Sequence, residues 1–193
     1  MKRPTAKKKK KAAAAQPFPP LSTSLDTFLV DGSDREFRMM IYGLLQVSSL
    51  MLKSREYYGA YIGVSAPQYS MIVAIAEAGE TTVRDLTMRL HVSSPFVTAE
   101  ISKLISAGYV RKRPNTSDRR SFLLSLTESG RDLVMRVSDM RRTANDTIFG
   151  TLNREQVQSF QQIIQILITD FERAIHDLEA PHWWRKDSES DAA

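Results

Sequence analysis

Five cations, Arg111, Lys112, Arg113, Arg119 and Arg120, fall within ten consecutive residues, and Asp118 is the one acid among them. Guanidinium groups at that density are phosphate-binding chemistry, because each offers a planar fork of N–H donors and a charge that neutralises a phosphate oxygen pair. The Pro-Asn-Thr-Ser-Asp cluster between the two basic groups is turn chemistry. On either side, Tyr109-Val110 and Phe122-Leu123-Leu124-Ser125-Leu126 supply apolar residues that can dock on a core. The stretch reads as a two-stranded ribbon, about 109–114 and 121–126, with the basic residues at its tip. A narrow A·T-rich minor groove concentrates negative potential and would attract such arginines.

The segment before the ribbon offers a second kind of chemistry. Residues 82–107 read as two short helices joined by His-Val-Ser-Ser-Pro. The first would bury Val83, Leu86 and Leu90, and the second Val97, Ile101, Leu104 and Ile105. That leaves Ser93, Ser94, Pro95, Thr98, Ala99, Ser102 and Lys103 at the turn and on an outer face of small or polar side chains. Small residues at a helix N-terminus let backbone approach the major groove, and the free N–H groups there favour phosphate. Lys103 is the only cation on that face, so base reading would rest on Ser94, Thr98 and Ser102 and on apolar contact of Pro95 or Ala99 with thymine methyls.

The elements that must hold these groups are punctuated regularly. Helix starts are expected at Ser33, Ser65, Thr82 and Asn153, each with an acid or amide three residues on, at Ser94 ahead of Pro95, and at Thr127. Gly79, Gly108 and Gly150 read as left-handed stops. The pattern predicts six helices, roughly 34–58, 66–78, 83–91, 95–107, 128–149 and 154–179, with the ribbon between the fourth and fifth. In the last helix Val157, Phe160, Ile164, Leu167, Phe171, Ala174 and Leu178 step alternately by 3 and 4, and four further isoleucines widen the seam. The first helix is as apolar, and two such helices at opposite ends of the chain suit the base of an intertwined homodimer.

Composition bounds the remaining options. The chain has 193 residues, 27 of them basic and 22 acidic, but seven of the basic residues lie within residues 1–11, which hold no acid. Residues 12–193 therefore carry a net charge of −2, and any anion-binding surface on the body is a local patch. There is no cysteine, which excludes disulfides and thiol chemistry. No apolar run approaches the roughly 20 residues of a membrane span, and the N-terminus lacks the apolar core of a signal peptide. A soluble chain in a bacterial or archaeal cytoplasm, associated with the nucleoid, is expected, with no membrane partner.

With helix order, ribbon and tip in place, the sequence resembles the MarR (multiple antibiotic resistance regulator) family. The resemblance is carried by "SAPQYSMIVAIAEAG", "TTVRDLTMRLHVSSPFVTAEISKLISAGYV" and "RPNTSDRRSFLLSLTESG". The last holds an Asp-x-Arg wing signature as Asp118 and Arg120, followed by Leu126, Thr127 and Gly130. The resemblance extends over about 33–178. It implies a mainly α fold with a small β-wing, a winged helix-turn-helix on a helical dimerisation base. It also implies a homodimer whose first, fifth and sixth helices interlock, bound to a pseudo-palindromic operator in double-stranded DNA with half-sites roughly 10 bp apart. Arg120 would be the wing arginine reaching the minor groove, and Asp118 would shape the loop by ion pairing. The expected organisation is a disordered Lys/Ala/Pro-rich tail at 1–24, dimerisation segments at 25–64 and 128–180, a DNA-binding domain at 65–127 and a C-terminal tail at 181–193. Without a cysteine, the thiol-dependent peroxide-sensing branch is excluded.

Family members commonly bind phenolic or carboxylate effectors between the dimer base and the winged domain. Arg38 and Tyr42 share a face of the first helix, and Arg35 and Tyr69 could join them around an aromatic carboxylate. His91, His176 and His182 lack metal-site spacing, and neither a metal nor a cofactor is expected. Glu77 and Glu80 are carboxylates without a paired nucleophile, base or phosphate loop, so no enzyme is expected. Trp183 and Trp184 would fold back onto the dimer base. The lysine-rich tail would either solubilise or embrace DNA. A transcriptional regulator, a repressor first, is the reading; a ligand-independent architectural DNA-binding protein is the alternative.

Overall fold

The computed structural model describes residues 18–180, so the lysine tail, His182, Trp183 and Trp184 lie outside the described residues. Among the described residues there are six α-helices and one ribbon: α1 (Arg35–Ile62), α2 (Ala66–Ala78), α3 (Val83–Leu90), α4 (Ser94–Ser106), β1 (Val110–Pro114), β2 (Phe122–Leu126), α5 (Glu128–Phe149) and α6 (Arg154–Glu179). The mainly α fold with a small β-wing is thus as expected. A single 3-10 turn, Asp26–Phe28, precedes α1. No described helix is long and apolar enough to cross a membrane.

Three of the expected capping boxes form, at Ser65/Gln68, Thr82/Asp85 and Asn153/Gln156. The one expected at Ser33 does not. Asp34 is the N-cap of α1, and its carboxylate turns away from the helix amides. Its Oδ2 accepts from the backbone N and the Oγ of Ser22, both at 2.6 Å, and its Oδ1 pairs with Arg38. Ser22 is therefore bonded to the start of α1, and Phe28 packs on Phe37 with ring centroids 4.9 Å apart. These hydrogen bonds hold the Asp34 carboxyl below its ordinary value of 3.8. At its other end α1 runs one turn further than expected, to Gly63 in the left-handed conformation.

The chain divides into two compact units, one ending at Arg136 and the other beginning at Val137. In the first unit α1 packs on α2, α2 on β2, α3 on α4, and α4 on β1. The core comprises Ile72 and Ile75 of α2, Leu86 of α3, Val97, Ile101 and Leu104 of α4, and Val110, Leu124 and Leu126 of the ribbon, all almost fully buried. Each such side chain contributes about 1.5–3 kcal/mol by leaving water. The ribbon is antiparallel with Val110 opposite Leu126 and Pro114 opposite Phe122. Thr81, just before α3, exchanges both backbone hydrogen bonds with Leu124, so β2 is flanked on both sides.

Thr127 joins the ribbon to α5. Its backbone N–H donates to the Tyr109 carbonyl at 3.0 Å, its hydroxyl donates to the Gly108 carbonyl at 2.6 Å, and the same hydroxyl accepts from the Gly130 N–H. Gly130 is a glycine because a Cβ there would collide with the Tyr109 carbonyl oxygen. Gly108 has the left-handed φ of +79° expected of a helix stop, whereas Gly150 does not adopt positive φ.

In the second unit, Asn153 caps α6 after a short turn in which the Leu152 N–H bonds to the Phe149 carbonyl. The seam expected along α6 is present, and none of its residues is buried among the described residues.

Candidate nucleic-acid interface

The ribbon tip is built by side-chain-to-backbone bonds. Asn115 Oδ1 accepts from Ser117 N at 3.0 Å, and Asp118 Oδ1 accepts from Arg120 N at 3.1 Å. Asn115 and Ser121 close the loop from either side, with Asn115 N donating to Ser121 O and Asn115 Nδ2 to Ser121 Oγ. Asp118 therefore shapes the wing through the Arg120 backbone rather than by the expected ion pair. Short polar side chains imitate a backbone turn in this way at low conformational cost.

The five cations fare differently. Arg113 is held by Glu80 in a two-point bond, Nε to Oε1 at 2.9 Å and Nη2 to Oε2 at 2.6 Å. Arg111 donates to Ser125 Oγ at 3.1 Å, and the Lys112 ammonium lies 5.2 Å from the Phe122 ring centre. Arg119 and Arg120 stand exposed on the turn, without an ion pair among the described residues. The Arg113 guanidinium holds the Glu80 carboxyl below its ordinary range, aided by the field of Arg113 and Arg111 against partial burial, and Glu80 in turn raises Arg113.

Ser94, Pro95, Thr98, Ala99, Ser102 and Lys103 all lie exposed on α4, as the helical period predicts. The expected N-cap shifts by one residue: Ser93 is the N-cap, in extended conformation, and Ser94 is the first helical residue. The Ser93 side chain makes no cap bond, so the first-turn amides of α4 are not covered by it, in contrast to α2 and α3. Thr98 and Ser102 turn their hydroxyls back onto the carbonyls of Ser94 and Thr98. Lys103 is bonded to Glu100 at 2.6 Å, and Glu100 is buried and also accepts from Gln68 Nε2 at 2.9 Å.

Glu80, Glu100 and Gln68 were not recognised from sequence as parts of this surface. Glu100 carries a usable signal, an acid at an inward position between Val97 and Ile101. Glu80 carries none, because its partner is 33 residues away.

The four residues expected around an aromatic ligand do not converge within the chain. Arg38 is committed to Asp34, and Tyr42 and Arg35 lie exposed near the start of α1. Tyr69 is buried and packs on Tyr58, with ring centroids 5.4 Å apart. Tyr58 stands about 30 Å along α1 from Arg38. A cavity of about 400 Å³ opens elsewhere, between the C-terminal half of α1, the start of α2 and the α3–α4 turn. Leu52, Met71, Leu90, Val92 and Phe96 form its apolar wall, and Arg55 lines it while donating to Ser70 Oγ at 2.9 Å. His91 closes α3 in the left-handed conformation, its N–H bonded to the Thr87 carbonyl.

The MarR family model matches residues 64–122, the span from the end of α1 through the wing to Phe122. That segment is similar to the MarR family. An uncharacterized HTH-type transcriptional regulator of Mycobacterium bovis is 33% identical over 93 residues, 48% of this chain and 65% of that protein. The transcriptional regulator SarZ of Staphylococcus epidermidis is 26% identical over 137 residues, 68% of this chain and 89% of SarZ. The fold is also that of solved MarR-family structures. A MarR/EmrR family regulator from Acinetobacter sp. ADP1 aligns with a TM-score of 0.61 at 21% identity, over 72% of this chain and 97% of that one. A mutant MarR from E. coli, solved with operator DNA, aligns at 0.53 and 20% identity over 66% and 95%. NadR, solved with 4-hydroxyphenylacetate, aligns at 0.60 and 23% over 65% and 89%. The family-model match thus covers α2, α3, α4, β1 and the wing turn, which include the exposed face of α4 and the arginines Arg119 and Arg120.

Proposed function

We propose that the chain is a homodimeric, DNA-binding transcriptional regulator that represses from a pseudo-palindromic operator in the cytoplasm. The observation that carries the reading is the pair Arg119 and Arg120, without an ion pair among the described residues at the tip of the wing, beside a helix with an exposed face of small polar residues. The wing arginines would supply phosphate and minor-groove contacts, and the uncovered first turn of α4 would accept a phosphate. Pro95, Thr98, Ala99 and Ser102 would read base edges. Lys103 would contribute less than a free lysine, because Glu100 holds it. In a fluorescence-anisotropy titration with operator duplex, Arg119→Ala/Arg120→Ala is expected to lower the affinity and to reduce the slope of log K against log salt by about 2. An unchanged affinity and slope would overturn the assignment.

A second copy is the partner that the uncovered apolar seams of α1 and α6 require. Phe160, Ile163, Ile166, Phe171, Ile175 and Leu178 on α6 and Leu44, Leu45, Leu50, Met51 and Leu52 on α1 are all exposed large apolar residues. Apolar surface that runs the length of a long helix marks an obligate interface, and closed two-fold symmetry covers it with the same chain.

The cavity favours an effector. Its volume suits a small molecule, Arg55 would pair with a carboxylate, and Phe96 and Val92 would transmit occupancy directly to α4. A salicylate-type aromatic acid is therefore expected to weaken operator binding. Identical binding with and without such acids would support the ligand-independent, architectural reading instead.

A further inference from the structure

We propose that Glu80 acts as an internal substitute for phosphate, holding Arg113 away from the nucleic-acid backbone and so lowering affinity for DNA of any sequence. The inference rests on the DNA-binding reading above. Glu80 follows Gly79, the stop of α2, and immediately precedes Thr81, whose backbone is paired to Leu124 of the wing. Its carboxylate is therefore carried on backbone that is rigidly joined to the ribbon. The two-point geometry with Arg113 is the one an arginine uses for a phosphate, so a DNA phosphate and Glu80 compete for the same donors. A phosphate that displaced Glu80 would leave that carboxylate facing the DNA backbone, a like-charge contact.

Structural stabilisation is a poor account of the pair. Arg113 and Glu80 are 51% and 43% exposed, and ion pairs in such settings add little to stability. Electrostatically the pair does have an effect: it removes one cation from a surface on which Arg119 and Arg120 have no ion pair among the described residues and Arg111 is bonded only to the Ser125 hydroxyl. Non-specific affinity comes from phosphate neutralisation, whereas discrimination comes from base edges and DNA shape. An acid that withholds one wing cation therefore lowers affinity for any duplex, operator or not, and leaves base reading in place.

The test uses the full chain and a fluorescein-labelled random-sequence duplex titrated over a range of salt concentrations. Glu80→Gln is expected to bind this duplex more tightly than wild type at low salt, with a slope of log K against log salt steeper by about 0.9, the value for one added phosphate contact. Arg113→Ala alone is expected to leave the wild-type slope unchanged, and Glu80→Gln/Arg113→Ala to return to it. Melting temperatures of the three variants check that the wing remains folded. A Glu80→Gln slope equal to wild type, or a shallower slope in Arg113→Ala, overturns the proposal. A wild-type chain that binds no duplex at any salt overturns the DNA-binding reading itself, and this inference with it.

Discussion

Gln68 donates through Nε2 to Glu100 Oε2 at 2.9 Å while its own Oε1 accepts from the Ser65 N–H at 3.1 Å. One side chain thus completes the N-cap of α2 and satisfies a buried carboxylate in the middle of α4. Glu100 passes the connection on to Lys103, the one cation on the exposed face of that helix. The start of α2 and the surface of α4 are thereby joined by a short, part-buried polar chain.

Loss of Gln68 removes a bond to a charged group together with a helix cap. Gln68→Ala is expected to lower the unfolding free energy by about 2 kcal/mol. Urea denaturation of wild type and variant checks it through the midpoint, provided that the slope is unchanged. Equal midpoints would show that the connection does not stabilise the fold.

Gly130 is constrained by its neighbour rather than by its own backbone angles. A methyl group at this position collides with the Tyr109 carbonyl, which is backbone held by the Thr127 N–H and cannot move aside cheaply. Gly130→Ala is expected to cost about 3 kcal/mol through overpacking, despite the better helix propensity of alanine. A thermal melt no lower than that of wild type would contradict the close approach of α5 to the turn after α4.

The clasp between Ser22 and Asp34 is expected to open in acid. The folded-state pKa of Asp34 lies below 3.8, so its contribution is fully present above the unfolded-state value and is lost as pH falls through the lower folded-state value. Glu80 follows the same sign from its ordinary value of 4.5, with its bond to Arg113 released over the corresponding acid range. Asp34→Asn should flatten part of the fall in melting temperature below about pH 4. Protection of the amides of residues 22–34, read by hydrogen exchange, should drop in that variant at neutral pH.

The seam of α6 offers the test of assembly. Phe171 is 54% exposed in the protomer, and a carboxylate there costs little unless a partner buries it. If the proposed dimer forms through this seam, Phe171→Glu converts it to monomer or unfolded chain in analytical ultracentrifugation, whereas Thr169→Glu, outside the heptad positions, is the control. Identical sedimentation of wild type and Phe171→Glu would remove α6 from the interface.

Much of this architecture is decided locally and is legible in the linear chain. Helical period, capping pairs such as Asn153 with Gln156, and stops such as Gly108 act over three or four residues, so their spacing already specifies the helices, the ribbon and the exposed face of α4. One exception lies where another segment competes for a capping group. Asp34 displaces the expected Ser33 cap because Ser22, twelve residues earlier, supplies better donors than the helix amides. Tertiary structure alone decided which charges are available. Arg113 and Arg120 are indistinguishable as sequence, yet one is neutralised by Glu80 across 33 residues and the other stands free on the turn. It also decided that Arg38 and Tyr69 lie too far apart to share a ligand, because a helix adds length with every turn. Ion pairing depends on the distances between atoms in space, and residue type and spacing constrain those distances only within a single element.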